Sequence, residues 1–228
     1  MKDNRTIQIT EDGSHTIAIP EMNVAYHSKH GAIQESMHVF IKSGLIYFID
    51  KNKLLFNQTI KIFEVGFGTG LNALLSLHEA IQLNKKIYYQ TIEPYPLSIE
   101  EIKQLNYPCL INKDLEKNFL AMYKCAWNKA VALHPLFSFQ KNKAGLLEFE
   151  TEEKFHIIYF DAFDPNAQPE LWTETVFKKM FALLETNGIL VTYCSKGIVR
   201  RAMQAAGFSI EKVKGPKGKR EIVRAKKN

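Results

Sequence analysis

Three glycines at alternate positions are the first residues whose spacing could do chemistry. They are Gly66, Gly68 and Gly70, within the stretch KIFEVGFGTGLNALL that runs from Lys61 to Leu75. Glycine lets a chain turn tightly and lets a ligand approach the backbone closely. This turn stands between an apolar segment and an amphipathic one, where a strand would end and a helix begin. That setting is the one in which a glycine-rich turn binds a ligand.

Two acidic residues are spaced around the glycine turn as a nucleoside-bearing cofactor requires. Glu64 precedes the turn, where a carboxylate can hold the amino group of a methionine moiety directly or through water. Glu93 ends the next apolar segment just over twenty residues beyond Gly70, at the spacing where a carboxylate accepts from both ribose hydroxyls. The Gly-x-Gly-x-Gly pattern differs from the Gly-x-Gly-x-x-Gly of dinucleotide sites. Together these features favour S-adenosylmethionine over NAD, with a solvated strand-end charge as the alternative for Glu93.

A second group follows about ninety residues later, in YFDAFDPNAQPELW from Tyr159 to Trp172. Asp161 ends an apolar segment, so it should lie at the carboxyl edge of a parallel sheet, where ligands bind. Beside a sulfonium cofactor, its carboxylate can act as acceptor or base for an incoming nucleophile. Phe163 offers a face on which a planar ring can stack. Asp164 is better explained as a turn or capping residue, and Trp172 as a packing residue.

Other classes of function find little support in the sequence. It has no Gly-x-Ser-x-Gly and no Walker motif, and among its seven scattered histidines only His27 and His30 could share a face, so we expect no metal site. Three widely separated cysteines indicate a reducing compartment. No apolar run approaches the roughly 18 residues of a membrane span, and the polar N-terminus lacks a signal peptide. Cytoplasm is the expected location.

The charge is distributed unevenly. The net charge is +6, but from Lys196 to Asn228 eleven basic residues face two acids, Glu211 and Glu221. This segment therefore carries +9 and the remainder −3. One basic end indicates a polyanionic partner such as a nucleic acid, with a solvated lysine-rich tail as the alternative.

Strand and helix patterns alternate after Lys61, which predicts a mainly parallel sheet covered on both faces. A closing antiparallel hairpin is predicted after Ala206, around Gly-Pro-Lys-Gly. This order is that of a class I, Rossmann-like α/β methyltransferase sheet. Strands are predicted at Ile62–Val65, Ile87–Glu93, Leu136–Phe139, His156–Asp161 and Ile189–Tyr193, and helices at Leu71–Leu83, Leu97–Leu105, Asp114–Leu133, Glu170–Leu184 and Lys196–Ala206.

The first sixty residues have β-like patterns. TIQIT and HTIAIP flank Glu-Asp-Gly-Ser, a hairpin signature, and MHVFIKSGLIYFI is interpreted as two more strands around Ser43-Gly44. We therefore predict a small N-terminal β extension over residues 1–60, packed on a methyltransferase domain over residues 61–228.

Four blocks of the sequence resemble one family. EVGFGTGLN, DAFDPNAQPELW, KGIVRRAMQAAGF and KGPKGKRE, with the lead-in YHSKHGAIQESMHVFIKSGL, resemble the methyltransferase domain of MnmC, also found free-standing as MnmD. The resemblance extends from about Tyr26 to Arg224. It implies S-adenosylmethionine-dependent methylation of 5-aminomethyl-2-thiouridine at the tRNA wobble position, giving the 5-methylaminomethyl form. We expect only this methyl-transfer half, without the flavin-dependent oxidoreductase of the fused enzymes.

The resemblance also implies roles for individual residues. Asp161 would face the methyl group and the substrate amine, with Phe163 beside it. Many relatives have an acid after the third strand that contacts adenine, but here the stretch reads FQKNKAG, and Asn142 is the substitute, with Lys141 near the same position. The cofactor-binding set is Glu64, Gly66, Phe67, Gly68, Thr69, Gly70, Asn72, Glu93 and Asn142, with Tyr26, Ser28 and Glu35 as residues of the extension that would cover it.

The basic end would supply tRNA contacts. The residues expected to grip anticodon-stem phosphates are Lys196, Arg200, Arg201, Lys217, Lys219 and Arg220. Two alternatives remain at this point. An aminopropyltransferase of the spermidine-synthase type shares the glycine turn, the ribose acid and an Asp-x-x-Asp-Pro turn, although a basic end suits a polyamine poorly. A non-catalytic RNA-binding module would keep only a relic of the cofactor site.

Overall fold

An eight-stranded sheet forms the centre of the computed structural model, which describes residues 5–52 and 58–228. Its strands are β4 (Ile60–Val65), β5 (Ile87–Ile92), β6 (Val131–His134), β7 (Phe137–Asn142), β8 (Phe155–Phe160), β9 (Leu184–Thr192), β10 (Ser209–Lys214) and β11 (Glu221–Lys226). Their spatial order is β10-β11-β9-β8-β4-β5-β7-β6. Five neighbours, β9, β8, β4, β5 and β7, run parallel, while β6, β11 and β10 pair antiparallel at the two ends.

The parallel strands and the closing hairpin confirm the predicted fold class. The chain builds the sheet outward from β4 through β5 and β7, and then returns to place β8 on the other side of β4. The strand order therefore reverses beside β4. In open α/β sheets ligands bind outside the carboxyl ends of the strands at such a reversal. The ends of β4, β5 and β8 are thus the expected location of the site.

Helices cover both faces of this sheet. Their ends follow local signals: Ser98 and Glu101 form a capping box at the start of α4, and the Thr173 side chain accepts from Val176 N at the start of α7. The helices are α1 (Ala32–Ser36), α2 (Tyr47–Lys51), α3 (Leu71–Gln82), α4 (Ile99–Ile102), α5 (Tyr107–Ile111), α6 (Glu116–Lys124), α7 (Glu174–Leu183) and α8 (Gly197–Ala205), with 3-10 turns at Pro20–Met22, Lys113–Leu115 and Pro169–Trp172.

The N-terminal segment contains a three-stranded antiparallel sheet. The predicted hairpin is confirmed as β1 (Thr6–Ile9) and β2 (His15–Ile19), and the short β3 (Val24–Ala25) pairs with β2. Residues 1–4 and 53–57 of the predicted extension lie outside the described residues, and a domain division at residue 60 stays a prediction.

The two strands predicted around Ser43-Gly44 are wrong. Residues 32–51 are helical throughout, with a π-helix over Met37–Ile46 between α1 and α2. Gly44 is not a turn residue: a Cβ there would lie 3.1 Å from Val191 and 3.2 Å from Tyr159, so glycine lets this helix approach the sheet. Because apolar residues occur on several sides of the helix, the helical period is hidden in the sequence.

The long helix predicted from Asp114 to Leu133 is also wrong in extent. α6 ends at Lys124, and the chain then turns back to form the edge strand β6. Asn128 adopts a left-handed φ of 58° in this turn, and its backbone N donates to Lys141 O at 2.8 Å. The helix predicted over Glu170–Leu184 is divided at Thr173, which caps α7.

Candidate active site

A cavity of about 730 Å³ opens at the carboxyl ends of β4, β5 and β8. Its walls come from the glycine turn, from the residues that follow β5, β7, β8 and β9, and from two segments outside the parallel strands. One of these segments is N-terminal and the other is the turn between β10 and β11. Of the predicted site residues, those that line it are Tyr26, Ser28, Glu35, Gly66, Phe67, Gly68, Thr69, Asn72, Glu93, Asp161, Phe163 and Lys219.

The glycine turn requires glycine at each of its three positions. Gly66, Gly68 and Gly70 have φ of 89°, 48° and 69°, the left-handed region that other residues rarely adopt. A Cβ on Gly68 would lie 2.8 Å from the Tyr26 ring, and one on Gly66 would lie 3.0 Å from Asp161 O. Gly70 is the N-cap of α3 and is not among the lining residues. The backbone at Gly66 and Gly68 is therefore pressed between two walls of the cavity.

Glu93 directly follows β5, and its carboxylate stabilises the glycine turn by a hydrogen bond. Its Oε2 accepts from Gly68 N at 3.0 Å and its Oε1 from Tyr95 N at 2.9 Å. Burial raises the pKa of Glu93, and the two backbone hydrogen bonds oppose that rise. Each oxygen keeps a further lone pair, because a carboxylate can accept about four hydrogen bonds. Glu93 can therefore hold the turn and still accept from a ligand hydroxyl.

A hydrogen-bonded chain connects the ends of β4 and β8 through α3. The Asn72 amide donates to Glu64 Oε1 at 3.0 Å and to Asp161 Oδ2 at 2.8 Å. Glu64 is 1% exposed and is not among the residues that line the cavity. Its predicted direct contact with a cofactor is therefore corrected: Glu64 instead supports the side chain of Asn72 through their hydrogen bond. Burial and the nearby Asp161 raise the pKa of Glu64 well above its ordinary value. The uncharged form of Glu64 is therefore favoured.

Asp161 is the carboxylate that faces the cavity. It directly follows β8 and is partly exposed, and its backbone N donates to Val65 O at 3.1 Å. Burial raises its pKa to about 7, against the opposing effect of the hydrogen bond from Asn72. A group with this pKa can be ionised at neutral pH and can take up a proton from a neighbour. Asp161 thus has the chemistry of an acceptor and base.

Aromatic rings form the wall next to Asp161. The half-buried Phe163 meets Tyr26 edge to face at 5.2 Å between ring centroids. Its carbonyl accepts from Trp172 Nε1 at 2.8 Å, and Trp172 is buried, as expected of a packing residue. Tyr193, which sequence reasoning missed, lines the same wall and donates from its hydroxyl to Ala162 O at 2.8 Å. These side chains give the cavity an aromatic wall beside Asp161.

The N-terminal segment is joined to the glycine turn by His27. Its Nε2 lies 2.7 Å from Thr69 Oγ1, and burial lowers the pKa of His27 to about 4, so the ring is neutral. Nearby, Glu35 Oε2 accepts from Ser28 N at 3.0 Å. Sequence reasoning considered His27 only as a metal ligand together with His30. His30 instead contacts Glu11 at 2.9 Å.

Asn142 does not lie at the cavity, which corrects the predicted adenine contact. Its side chain is bound to Gln90 at 3.0 Å, to Gln140 at 3.3 Å and to Asn128 at 3.2 Å. The adjacent Lys141 is 1% exposed and its ammonium lies 4.5 Å from the centre of the Trp127 ring. Residues that line the cavity in this region, and that the sequence interpretation missed, are Tyr95, Gly145, Leu146, Leu147 and Glu148.

The basic residues of the C-terminal segment divide into two groups. Lys196 pairs with Asp164 at 2.6 Å, and Lys217 pairs with Glu11 at 2.9 Å. Within the described residues, Arg200, Arg201 and Arg220 make no ion pair at all. Arg201 and Arg220 are exposed. Lys219 differs from all of these because it lines the cavity, paired with Glu35 at 2.5 Å, and this corrects its predicted place on an outer tRNA surface.

A mainly parallel sheet with a glycine turn after its first strand and an acid after its second is the arrangement of class I S-adenosylmethionine-dependent methyltransferases. The sequence comparisons agree with this class. Residues 111–228 match a family described as S-adenosyl-L-methionine-dependent methyltransferase. The chain belongs to this family, and its cofactor is S-adenosylmethionine.

The relatives confirm the resemblance to MnmC. The chain is 27% identical over 230 residues to the tRNA 5-methylaminomethyl-2-thiouridine biosynthesis bifunctional protein MnmC of Burkholderia multivorans, covering 96% of this chain and 34% of that protein. It is 28% identical over 212 residues to the protein of the same name from Leptospira interrogans, covering 87% of this chain and 32% of that protein. The chain thus spans about a third of the length of these curated relatives.

Solved structures show the same fold. MnmC2 from Aquifex aeolicus has a TM-score of 0.81 at 24% identity, over 98% of this chain and 70% of that one. Spermidine synthase from Thermotoga maritima has a TM-score of 0.61 at 14% identity, over 98% of this chain and 69% of that one. No helix among the described residues is both long enough and apolar enough to span a membrane.

Proposed function

We propose that this methyltransferase acts on the amino nitrogen of 5-aminomethyl-2-thiouridine at the wobble position of tRNA, giving the 5-methylaminomethyl form. The observation that carries the proposal is the position of Asp161, a carboxylate with a pKa near 7 that opens into the cavity beside the glycine turn. The names of the MnmC relatives, which concern biosynthesis of this nucleoside, supply the substrate.

The residues of the cavity fit S-adenosylmethionine. Gly66 and Gly68 line the cavity, and because they have no side chain, the Tyr26 ring and the Asp161 carbonyl can lie close to the turn. The buried Asn72 Oδ1 has no hydrogen-bond partner among the described residues, and it can accept from the amino group of the methionine part. Glu93 would hold the ribose hydroxyls. When bound, the cofactor supplies an electrophilic methyl group on a sulfonium.

Replacing Gly68 with alanine tests this assignment. The new Cβ would meet the Tyr26 ring at 2.8 Å and would force a left-handed φ on a residue that disfavours it. Strain of about 1 to 3 kcal/mol falls on the turn that binds the cofactor, so affinity for S-adenosylmethionine should drop by about tenfold or more in calorimetry. Gly13→Ala is the matched control, since Gly13 also has a left-handed φ but has no atom within 4 Å of its Cβ position. Equal losses in both variants would contradict the assignment.

Asp161 would prepare the substrate amine for transfer. An alkyl amine has a pKa of roughly 10, as for lysine, so at neutral pH it arrives as an ammonium without a free lone pair. The ionised Asp161 accepts a hydrogen bond from this ammonium, takes up one proton and aims the lone pair at the methyl group. The N–C bond then forms as the S–C bond breaks.

The target base would be turned out of the anticodon loop into the aromatic wall. A wobble base is unpaired in the free tRNA, so it can leave the loop at small cost and stack on Phe163, with Tyr26 at its edge. Arg200, Arg201 and Arg220 would bind the phosphates of the anticodon stem, because they make no ion pair within the described residues. Lys196 and Lys217 would contribute less, since each already has a carboxylate partner.

Transfer of labelled methyl groups tests the proposed function. Purified protein is given methyl-tritiated S-adenosylmethionine with tRNA that carries 5-aminomethyl-2-thiouridine, and the nucleosides are separated after digestion. We expect the label in 5-methylaminomethyl-2-thiouridine, and none when the wobble uridine is unmodified. Absence of label from tRNA, while the protein extends putrescine from decarboxylated S-adenosylmethionine, would contradict the proposal and support an aminopropyltransferase.

A further inference from the structure

A lysine enters the cavity from the C-terminal hairpin. Lys219 lies in the turn between β10 and β11, and its side chain is 29% exposed. Its Nζ is 2.5 Å from Glu35 Oε1 and 3.9 Å from the centroid of the Tyr193 ring. An ammonium over an aromatic face is attracted by the ring as well as by the carboxylate. Two different elements therefore hold this cation on the wall of the cavity.

The turn that carries Lys219 is itself fixed to the N-terminal segment. Lys217 pairs with Glu11 at 2.9 Å, and His38 Nε2 lies 2.7 Å from Lys214 O. Gly218 has a left-handed φ of 84°, and a Cβ on it would lie 2.3 Å from the His30 ring. Contacts at three residues that precede Lys219 thus hold the turn against the protein. The lysine is placed in the cavity by the fold, before any ligand binds.

Glu35 is the second carboxylate on this wall. Its side chain is 11% exposed, and its Oε2 accepts from Ser28 N at 3.0 Å. Tyr193, on which Lys219 lies, donates to Ala162 O, the residue directly after Asp161. The pair of Glu35 and Lys219 is therefore tied to the same strand end as Asp161. Glu35 raises the pKa of Asp161 and Lys219 lowers it, although burial and the Asn72 hydrogen bond have larger effects.

The other groups that face Asp161 add little charge at neutral pH. Burial raises the pKa of Glu64 of β4, which favours its uncharged form, and Asn72 of α3 carries no charge. Tyr193, which directly follows β9, has a pKa far above its ordinary value because of burial, so it is neutral. Asp164 is paired with Lys196. Glu35 and Lys219 thus remain as the opposing charges beside Asp161.

We propose that Lys219 is a positioning residue for methyl transfer: it balances the charge of Glu35, so that Asp161 is ionised and free to accept from the substrate amine. The proposal rests on the proposed function, in which Asp161 receives that amine. Without Lys219, the carboxylate of Glu35 would have no cation beside it, and its charge would disfavour ionisation of Asp161 on the same wall. A protonated Asp161 cannot take a proton from the incoming ammonium.

The ionisation of Asp161 can be measured without substrate. The protein is labelled with aspartate carrying ¹³C in its carboxyl group, the Asp161 signal is assigned by its loss in Asp161→Asn, and its titration is followed by NMR. Lys219→Met should raise the pKa of Asp161, because the positive charge of Lys219 lowers that pKa in wild type. Glu35→Gln should lower it, the double variant should return it close to wild type, and Lys219→Arg should keep it there.

Lys219→Met and Glu35→Gln should shift the pKa of Asp161 in opposite directions if the two charges balance each other. A structural defect would shift that pKa in the same direction in both variants. Lys212→Met is the matched control, since it removes a lysine of the same hairpin that pairs with Glu221 at 3.0 Å outside the cavity. It should leave the Asp161 titration unchanged. Equal titrations in wild type and Lys219→Met, or shifts of the same sign in both single variants, would overturn the proposal.

The pH profile of methyl transfer gives a second measurement. In Lys219→Met the acid limb of the pH profile of kcat should move to higher pH by the shift in pKa seen in the titration. Activity that the variant loses at pH 7 should therefore return at higher pH. Loss that is equal at every pH would overturn the role of Lys219. If wild type itself does not methylate the aminomethyl nucleoside, the proposed function fails, while the titration still decides whether Lys219 controls Asp161.

Discussion

Asp161→Asn should lower kcat for methyl transfer by about 10²- to 10⁴-fold, the usual contribution of a positioned general base. Asparagine keeps the shape of the side chain and an oxygen that can accept from Asn72, so the chain of hydrogen bonds from Glu64 can persist. It cannot take a proton or carry the negative charge that attracts an ammonium. The affinities for S-adenosylmethionine and tRNA should therefore stay close to those of wild type, as measured by calorimetry and filter binding.

A matched control for this variant is Asp114→Asn, which changes an exposed carboxylate in the Lys113–Leu115 turn, away from the cavity. Its kcat should equal that of wild type. The role of Asp161 would be contradicted by near-normal turnover of Asp161→Asn. A variant that loses cofactor affinity and turnover together would assign Asp161 to cofactor binding instead.

Arg200→Ala combined with Arg201→Ala should weaken tRNA binding by roughly tenfold to a hundredfold near 0.15 M salt. Each lost phosphate contact removes about 0.9 from the slope of log K against log salt, so the slope should fall by about 2. We expect this result because both arginines lie on α8 and Arg201 is exposed there. Neither arginine pairs with a carboxylate among the described residues. Binding is measured across a series of salt concentrations.

The control for the arginine pair is Lys178→Ala, which removes an exposed lysine of α7 that pairs with Glu174 at 2.7 Å. Its salt slope should match that of wild type. An unchanged slope in the arginine variant would place the RNA surface elsewhere on the protein. The proposed reaction would be tested separately, by methyl transfer to a short anticodon stem-loop.

Local signals in the sequence were sufficient to predict the centre of this fold. The glycine turn, Glu93 and Asp161 each end an apolar strand, and the carboxyl ends of parallel strands meet at one edge of a sheet. Their convergence in one cavity follows from those local patterns. The closing hairpin was predictable for a similar reason, because its two arms and their Gly-Pro-Lys-Gly turn lie together in the chain.

The parts that were mispredicted depend on contacts distant in sequence. The helical run over residues 32–51 packs on the sheet through Gly44, and nothing near Ser43-Gly44 in the sequence shows that Val191 and Tyr159 lie against it. Asn142 lies beyond the predicted strand Leu136–Phe139 and ends β7, and its side chain is hydrogen-bonded to Gln90 of the neighbouring strand. Position along a strand was predictable, whereas the partner of a side chain was not.

Lys219 illustrates the same limit for charge. A lysine in a Gly-Pro-Lys-Gly-Lys turn has the composition of an exposed loop, and its neighbour Lys217 is indeed exposed. Lys219 instead points to Glu35, which lies more than 180 residues away in the chain. Net charge could predict a basic end, but only the fold separates the cations that face solvent from the one that faces the cavity.

The contact between Asp161 and the substrate amine is measured most directly in a crystal structure of the protein with S-adenosylhomocysteine and an anticodon stem-loop that contains 5-aminomethyl-2-thiouridine. We expect the amine nitrogen to lie about 3 Å from an Asp161 carboxylate oxygen, with its lone pair aimed at the cofactor sulfur. An amine nitrogen held by other groups, well beyond hydrogen-bonding distance of Asp161, would contradict it.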